Sequence, residues 1–95
     1  MGSESDGAAA SGHAAMISRI KNARFKTTRL HAGYDDVQVD SFLEVLVAGL
    51  SGEDPLDPEL VRGARFPVAR WRPGYVRADV EALLDEVQRY ADGHR

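Results

Sequence analysis

The sequence predicts a mainly α-helical fold made of two tandem copies of one supersecondary unit. When the chain is offset by 41 positions, residues 24–46 match residues 65–87 in the order of their residue types. Each copy also ends in apolar residues at helical spacing. Units of about 35 residues rarely bury enough apolar surface to fold alone. The two copies should therefore form one core together, as the subunits of a dimer do.

Five segments follow from this repeat. Residues 1–15 are rich in Gly, Ala and Ser without apolar periodicity, which predicts a disordered tail. The first repeat covers residues 16–50 and the second covers residues 57–91. A turn-rich linker at residues 51–56 joins the repeats, and residues 92–95 form a short C-terminal tail.

A short lead-in helix is predicted to open each repeat, and a hairpin-like turn to follow it. In the second repeat Asp57 is a predicted N-cap, with Pro58 at the first helical position. Each of the basic stretches that follow contains one glycine, Gly33 or Gly74, which indicates a turn. The linker is long enough for parallel or antiparallel packing of the repeats, so the sequence leaves this direction open.

The last helix of each repeat carries an apolar stripe that we predict to be a helix-pairing interface. Asp35 can cap the first of these helices, whereas Val76 stands at the equivalent position before the second. The two stripes would pair within one chain or across a homodimer. The predicted pairing interface comprises Val39, Phe42, Leu43, Leu46, Val80, Leu83, Leu84 and Val87.

Charge is unevenly distributed along the chain. The formal net charge of −3 and the pI of about 5.5 argue against general nucleic-acid binding. Residues 17–34 nevertheless contain five cations and no acid, and so do residues 60–78. These basic stretches include the predicted turns, which become candidate contacts with a membrane or a partner. The candidate residues are Arg29, Leu30, His31, Arg70, Trp71 and Arg72.

Catalysis has no candidate residues in this sequence. His13, His31 and His94 have no partner at metal-ligand spacing, and no phosphate-binding loop or nucleophile motif occurs. Without cysteine the chain has neither disulfides nor thiolate metal ligands, and a reducing cytoplasm is expected. No apolar run approaches the ~20 residues that span a bilayer. We expect a soluble cytoplasmic protein that is not an enzyme and has no metal or cofactor.

Both repeats also carry fixed residue types at fixed spacing. In the first repeat these are Phe25, Thr27, Thr28, Arg29, Gly33, Tyr34, Asp35, Val39, Asp40, Phe42 and Leu43. The second repeat keeps Phe66, Arg70, Gly74, Tyr75, Val80, Leu83 and Leu84. The pattern resembles the N-terminal domain of the DivIVA family, bacterial proteins of division sites and growing poles. Short members with two copies and no long coiled coil are an actinobacterial subgroup.

This resemblance implies a non-enzymatic interaction protein of bacterial cell division or polar growth. The implied partners are the chain itself and a full-length DivIVA-family scaffold, with no nucleic acid. In the family, an apolar and a basic residue just before the Gly-Tyr contact anionic membrane. This chain has His31-Ala32 and Arg72-Pro73 there, so neither repeat keeps that pair.

A membrane-surface module is the alternative reading. It would place the two basic hairpins on anionic lipid at the inner face of the cell membrane, at the septum or the pole.

Overall fold

The described part of the chain forms four helices and one two-stranded sheet, so the predicted mainly α-helical class is confirmed. The structure, a computed structural model, describes residues 3–52 and 56–93, with the side chains of residues 12–52 and 56–93. The elements are α1 (Ser3–Lys21), β1 (Thr27–Thr28), α2 (Asp36–Ser51), α3 (Pro58–Arg62), β2 (Gly74–Tyr75) and α4 (Arg77–Gly93). Each half of the chain therefore has the order helix, strand, helix.

The first helix is longer than the sequence suggested. Of the tail predicted to be disordered over residues 1–15, residues 3–15 lie within α1, and residues 1–2 lie outside the described residues. Alanine has the highest helix propensity, and the prediction treated the alanines of this segment only as low-complexity composition. The helix also contacts α4, because the His13 ring nitrogen Nδ1 lies 2.8 Å from the Tyr90 hydroxyl.

Two of the helix starts are capped as predicted. The Asp35 side chain accepts a hydrogen bond of 3.1 Å from the backbone N–H of Gln38 in α2. The Asp57 side chain accepts one of 2.9 Å from the backbone N–H of Glu59 in α3. Helix α4 follows Val76, which has no side-chain acceptor.

The core lies between the two halves of the chain. Six of the eight predicted pairing residues are buried, and Phe42 and Leu84 are half-buried beside them. All of them belong to one hydrophobic cluster within a single chain. Burial of each Val or Leu side chain contributes about 1.5–3 kcal/mol to folding. The buried members of the cluster are Ile20, Val39, Leu43, Leu46, Leu50, Leu56, Val61, Val80, Leu83, Val87 and Ala91.

Strand pairing joins one repeat to the other. β1 and β2 are antiparallel, with Thr27 opposite Tyr75, and the bridge between Tyr34 and Val68 is the same pairing with the repeats exchanged. The backbone N–H of Tyr34 donates to the carbonyl of Tyr75, and the reverse bond has the same length of 2.9 Å. The two turns therefore cross at a pseudo-twofold axis between Tyr34 and Tyr75.

The same crossing fixes the direction of α2 and α4. The backbone N–H of Asp35 donates to the carbonyl of Pro67 at 2.8 Å, and that of Val76 donates to the carbonyl of Lys26 at 2.8 Å. Helices α2 and α4 begin directly after these two donors. Both helices start beside the crossing and share one core, so they run in the same direction. This settles the direction that the sequence left open.

Close approach of two backbones explains why both repeats have a glycine before the tyrosine. A Cβ atom added at Gly33 would lie 2.8 Å from the carbonyl carbon of Gly74, and one added at Gly74 would lie 2.8 Å from that of Gly33. Neither glycine has a positive φ. The requirement for glycine is therefore a matter of space at the crossing and not of backbone conformation.

The crossing can be tested with one alanine. Gly33→Ala should lower the free energy of unfolding by about 1–3 kcal/mol, because the added methyl group forces the two backbones apart. The matched control is Gly93→Ala, where an added Cβ meets nothing within 4 Å. Urea denaturation followed by circular dichroism measures both variants. Equal midpoints for the two variants would contradict the close approach.

Candidate functional site at the hairpin tips

The two turns end side by side at one end of the molecule. We call residues 29–31 the first tip and residues 70–72 the second tip. Together they contain the six candidate contact residues predicted from the sequence. Residues of both tips line a common cleft of about 320 Å³ together with Gly33 and Gly74. The structure thus brings together two stretches that lie 41 positions apart in the chain.

Each tip exposes one large apolar side chain. Leu30 is 90% exposed in the first tip, and Trp71 is 99% exposed in the second. The two residues occupy equivalent positions of the repeat. Single exposed apolar residues are ordinary, but a large one at the equivalent position of each tip indicates a contact surface.

The cations at the tips differ in their environment. Arg29 and Arg70 are exposed, and neither forms an ion pair with the residues that the structure describes. Arg72, in contrast, reaches the start of α2. Its Nη2 atom lies 3.1 Å from Oδ1 of Asp35 and 3.0 Å from Oδ1 of Asp36. The second tip therefore has one solvated guanidinium group and one that is already paired.

His31 stands where the second tip has Arg72. Its backbone N–H donates a hydrogen bond of 3.2 Å to the Thr28 hydroxyl, and its side chain is exposed. The first tip consequently holds one arginine, whereas the second tip holds two.

Two tyrosines behind the tips connect the repeats. The Tyr75 hydroxyl donates a hydrogen bond of 2.9 Å to Asp40, and the Tyr34 hydroxyl donates to Glu81. The rings also pack across the repeats, with centroids 5.0 Å apart for Phe25 and Tyr75. The acidic partners of these hydroxyls were not predicted from the sequence. The signal was present, because an acid stands at the same position of both repeats.

The tyrosine hydroxyls stay protonated well above neutral pH. Burial raises the pKa of Tyr75 from 10.0 to about 12, and the hydrogen bond to Asp40 adds to this effect. The hydrogen bond to Glu81 raises the pKa of Tyr34, and burial adds to it. Ionising either hydroxyl would remove a donor and place a phenolate beside a carboxylate.

Alkaline pH should weaken the fold through these hydroxyls. Tyr75 ionises near pH 10 in the unfolded chain and near pH 12 in the folded one, so its contribution is complete below pH 10 and disappears as the pH rises to about 12. Over this range the free energy of unfolding should fall less steeply in Tyr75→Phe than in the wild type. Urea titrations at several pH values measure the two slopes.

The double variant Tyr34→Phe/Tyr75→Phe should give a shallower slope still. All other groups are the same in every variant, so the difference between slopes is the quantity that reports the tyrosines. Identical slopes in the wild type and the double variant would contradict the assigned hydrogen bonds.

Among the described residues, no group of three or more His, Asp or Glu is arranged to hold a metal ion. Within residues 3–52 and 56–93, no helix combines the length and apolar content that crossing a membrane requires. Comparisons with protein-family models, with curated proteins and with solved structures found no match.

Proposed function

We propose that the chain is a non-enzymatic docking module that places its two hairpin tips on an anionic membrane surface in bacterial cell division or polar growth. The observation that carries this proposal is the joint exposure of Leu30 and Trp71 beside Arg29 and Arg70, which form no ion pair with a described residue. The DivIVA-like pattern of both repeats supports the cellular setting. The repeats lack the family's apolar and basic pair before Gly-Tyr, but each has an apolar residue one position earlier.

The chemistry of the tips suits the boundary between lipid headgroups and acyl chains. Tryptophan is enriched at membrane interfaces because its ring is apolar while its N–H can remain hydrated. Arginine neighbours at the same tips would meet lipid phosphates. An apolar residue and a cation at each tip therefore match an anionic surface better than a neutral one.

The expected affinity is modest. At an anionic leaflet Arg29 and Arg70 contribute about 1 kcal/mol each. Removing each apolar side chain from water contributes about 1.5–3 kcal/mol. The total of about 5–8 kcal/mol corresponds to dissociation constants between about 200 µM and about 1 µM. Binding in this range is reversible and depends on both kinds of residue.

A protein partner is the second candidate, and the outer face of α2 favours it. Val45 is 51% exposed there, and its neighbour Ala48 is also exposed. At the equivalent positions α4 has Glu86, which pairs with Arg19, and Arg89. The pairing stripes are buried within the chain, so a full-length DivIVA-family scaffold would have to contact another surface, and this uncharged face is suitable.

Vesicle co-sedimentation tests the membrane proposal. The wild type should bind vesicles containing phosphatidylglycerol and release them in 0.5 M salt, because salt screens the arginine contribution. Trp71→Ala should weaken binding about tenfold, since the lost apolar burial is about 1.5 kcal/mol or more. Val45→Ala is the matched control, because it shortens an exposed apolar side chain away from the tips. Equal binding of wild type and Trp71→Ala would refute docking through the tips.

A charged substitution at Val45 separates the two candidates. If a scaffold contacts the outer face of α2, Val45→Glu should abolish binding to the purified head domain of a DivIVA-family protein while vesicle binding persists. Isothermal titration calorimetry measures the protein interaction. Unchanged calorimetric binding in Val45→Glu would exclude this face as the partner surface.

A further inference from the structure

We propose that Arg72 is a positioning residue, which holds the second tip so that Trp71 projects from it, and that its charge is not a lipid contact. The inference rests on the function proposed for the tips, and it divides their residues into two roles. Arg29 and Arg70 meet the anionic surface. Arg72 holds the backbone beside Trp71, whose side chain enters the surface.

The first observation is where the Arg72 side chain goes. It leaves the second tip and contacts Asp35 and Asp36 of the other repeat, at 3.1 and 3.0 Å. Asp35 accepts the backbone N–H of Gln38 as the cap of α2, and Asp36 accepts that of Val37 at 2.9 Å. Both carboxylates are thus held by a packed helix. Arg72 therefore connects an exposed turn to a fixed part of the fold.

The second observation is the backbone of Trp71. Its φ of 70° lies in the left-handed region, and among the described residues it is the one residue other than glycine with a positive φ. Bulky side chains adopt this conformation rarely, and it persists where the surroundings determine it. Pro73 stiffens the chain on the C-terminal side and restricts the backbone of Arg72 before it. Arg72 is thus the link between Trp71 and the helix.

The first tip provides an internal comparison. His31 replaces Arg72, and the positions equivalent to the two aspartates hold Val76 and Arg77. An ion pair of the same kind cannot form there, because the facing groups are a valine and a cation. Leu30, which is equivalent to Trp71, has no positive φ. The ion pair and the unusual backbone conformation occur together in one tip and are both missing from the other.

This arrangement predicts an asymmetric contact with the membrane. Trp71 would enter the surface in a fixed orientation, whereas Leu30 would adapt to it. Pairing with two carboxylates also lowers the attraction of Arg72 for lipid phosphate, because the aspartates already neutralise it. Arg72 therefore contributes less than Arg29 or Arg70 to the electrostatic attraction between the tips and the membrane.

Tryptophan fluorescence can test the role of Arg72, because Trp71 is the single tryptophan of the chain. In the free protein, Arg72→Gln should increase the fast motion of the indole ring in time-resolved anisotropy. Arg70→Gln is the matched control, since it removes the same charge from the same tip but breaks no ion pair with a described residue. The control should leave the anisotropy unchanged and weaken vesicle binding about fivefold, as expected for one cation at the surface.

Asp36→Asn distinguishes a positioning role from a lipid contact. If Arg72 positions the tip, it loses one ion-pair partner in this variant, and Trp71 should become more mobile. Vesicle binding should then weaken roughly two- to fivefold. If Arg72 contacts lipid instead, the same change releases its side chain for lipid phosphate. Vesicle binding would then strengthen, and Trp71 would keep its anisotropy. Melting curves of both variants verify that the fold is intact.

The outcomes separate this inference from the proposed function. Unchanged Trp71 mobility in both Arg72→Gln and Asp36→Asn would overturn the positioning role, even if the wild type binds vesicles. Increased mobility in both, with no vesicle binding by the wild type, would support Arg72 as the support of the tip and refute the membrane function instead.

Discussion

The fold depends on the close approach of two glycine backbones. Gly33 and Gly74 leave no space for a Cβ atom, and this contact lets the two turns cross and exchange backbone hydrogen bonds through Tyr34 and Tyr75. The crossing places the starts of α2 and α4 together, and the shared core follows from their common direction. It also brings the two tips to one end of the molecule. A steric condition at two residues thus determines the core, the helix direction and the exposed surface.

Much of the fold was predictable because the chain contains the same pattern twice. The repeat predicted paired helices, the apolar stripes predicted most of the buried residues, and Asp35 and Asp57 predicted two helix starts. Strand pairing between the repeats was not predictable, because a turn signal at a glycine does not say which strand its neighbours will meet. The helix over residues 3–15 was missed because composition was considered without helix propensity.

The candidate site was predictable as a set of residues but not as an arrangement. Basic and apolar residues near each glycine indicated a surface, and the structure shows their exposure. The different environments of Arg70 and Arg72 depend on a contact between residues 37 positions apart, which no local pattern records. The hydrogen bonds from the Tyr34 and Tyr75 hydroxyls to Glu81 and Asp40 also join residues that are far apart in the chain. Local sequence determines which groups are present, and tertiary contacts determine which of them remain available.

Because the two repeats are covalently linked, each can acquire substitutions that the other lacks, which the identical subunits of a dimer cannot do. In a symmetric dimer every substitution appears twice, so the two tips would have to change together. Here Leu30 and Trp71, or His31 and Arg72, could diverge one at a time while the glycine crossing kept the halves aligned. The linkage also makes assembly of the two halves a first-order process, since the effective local concentration of one half around the other does not fall on dilution. The paired tips would therefore stay intact in a cell that contains only a few copies of the chain.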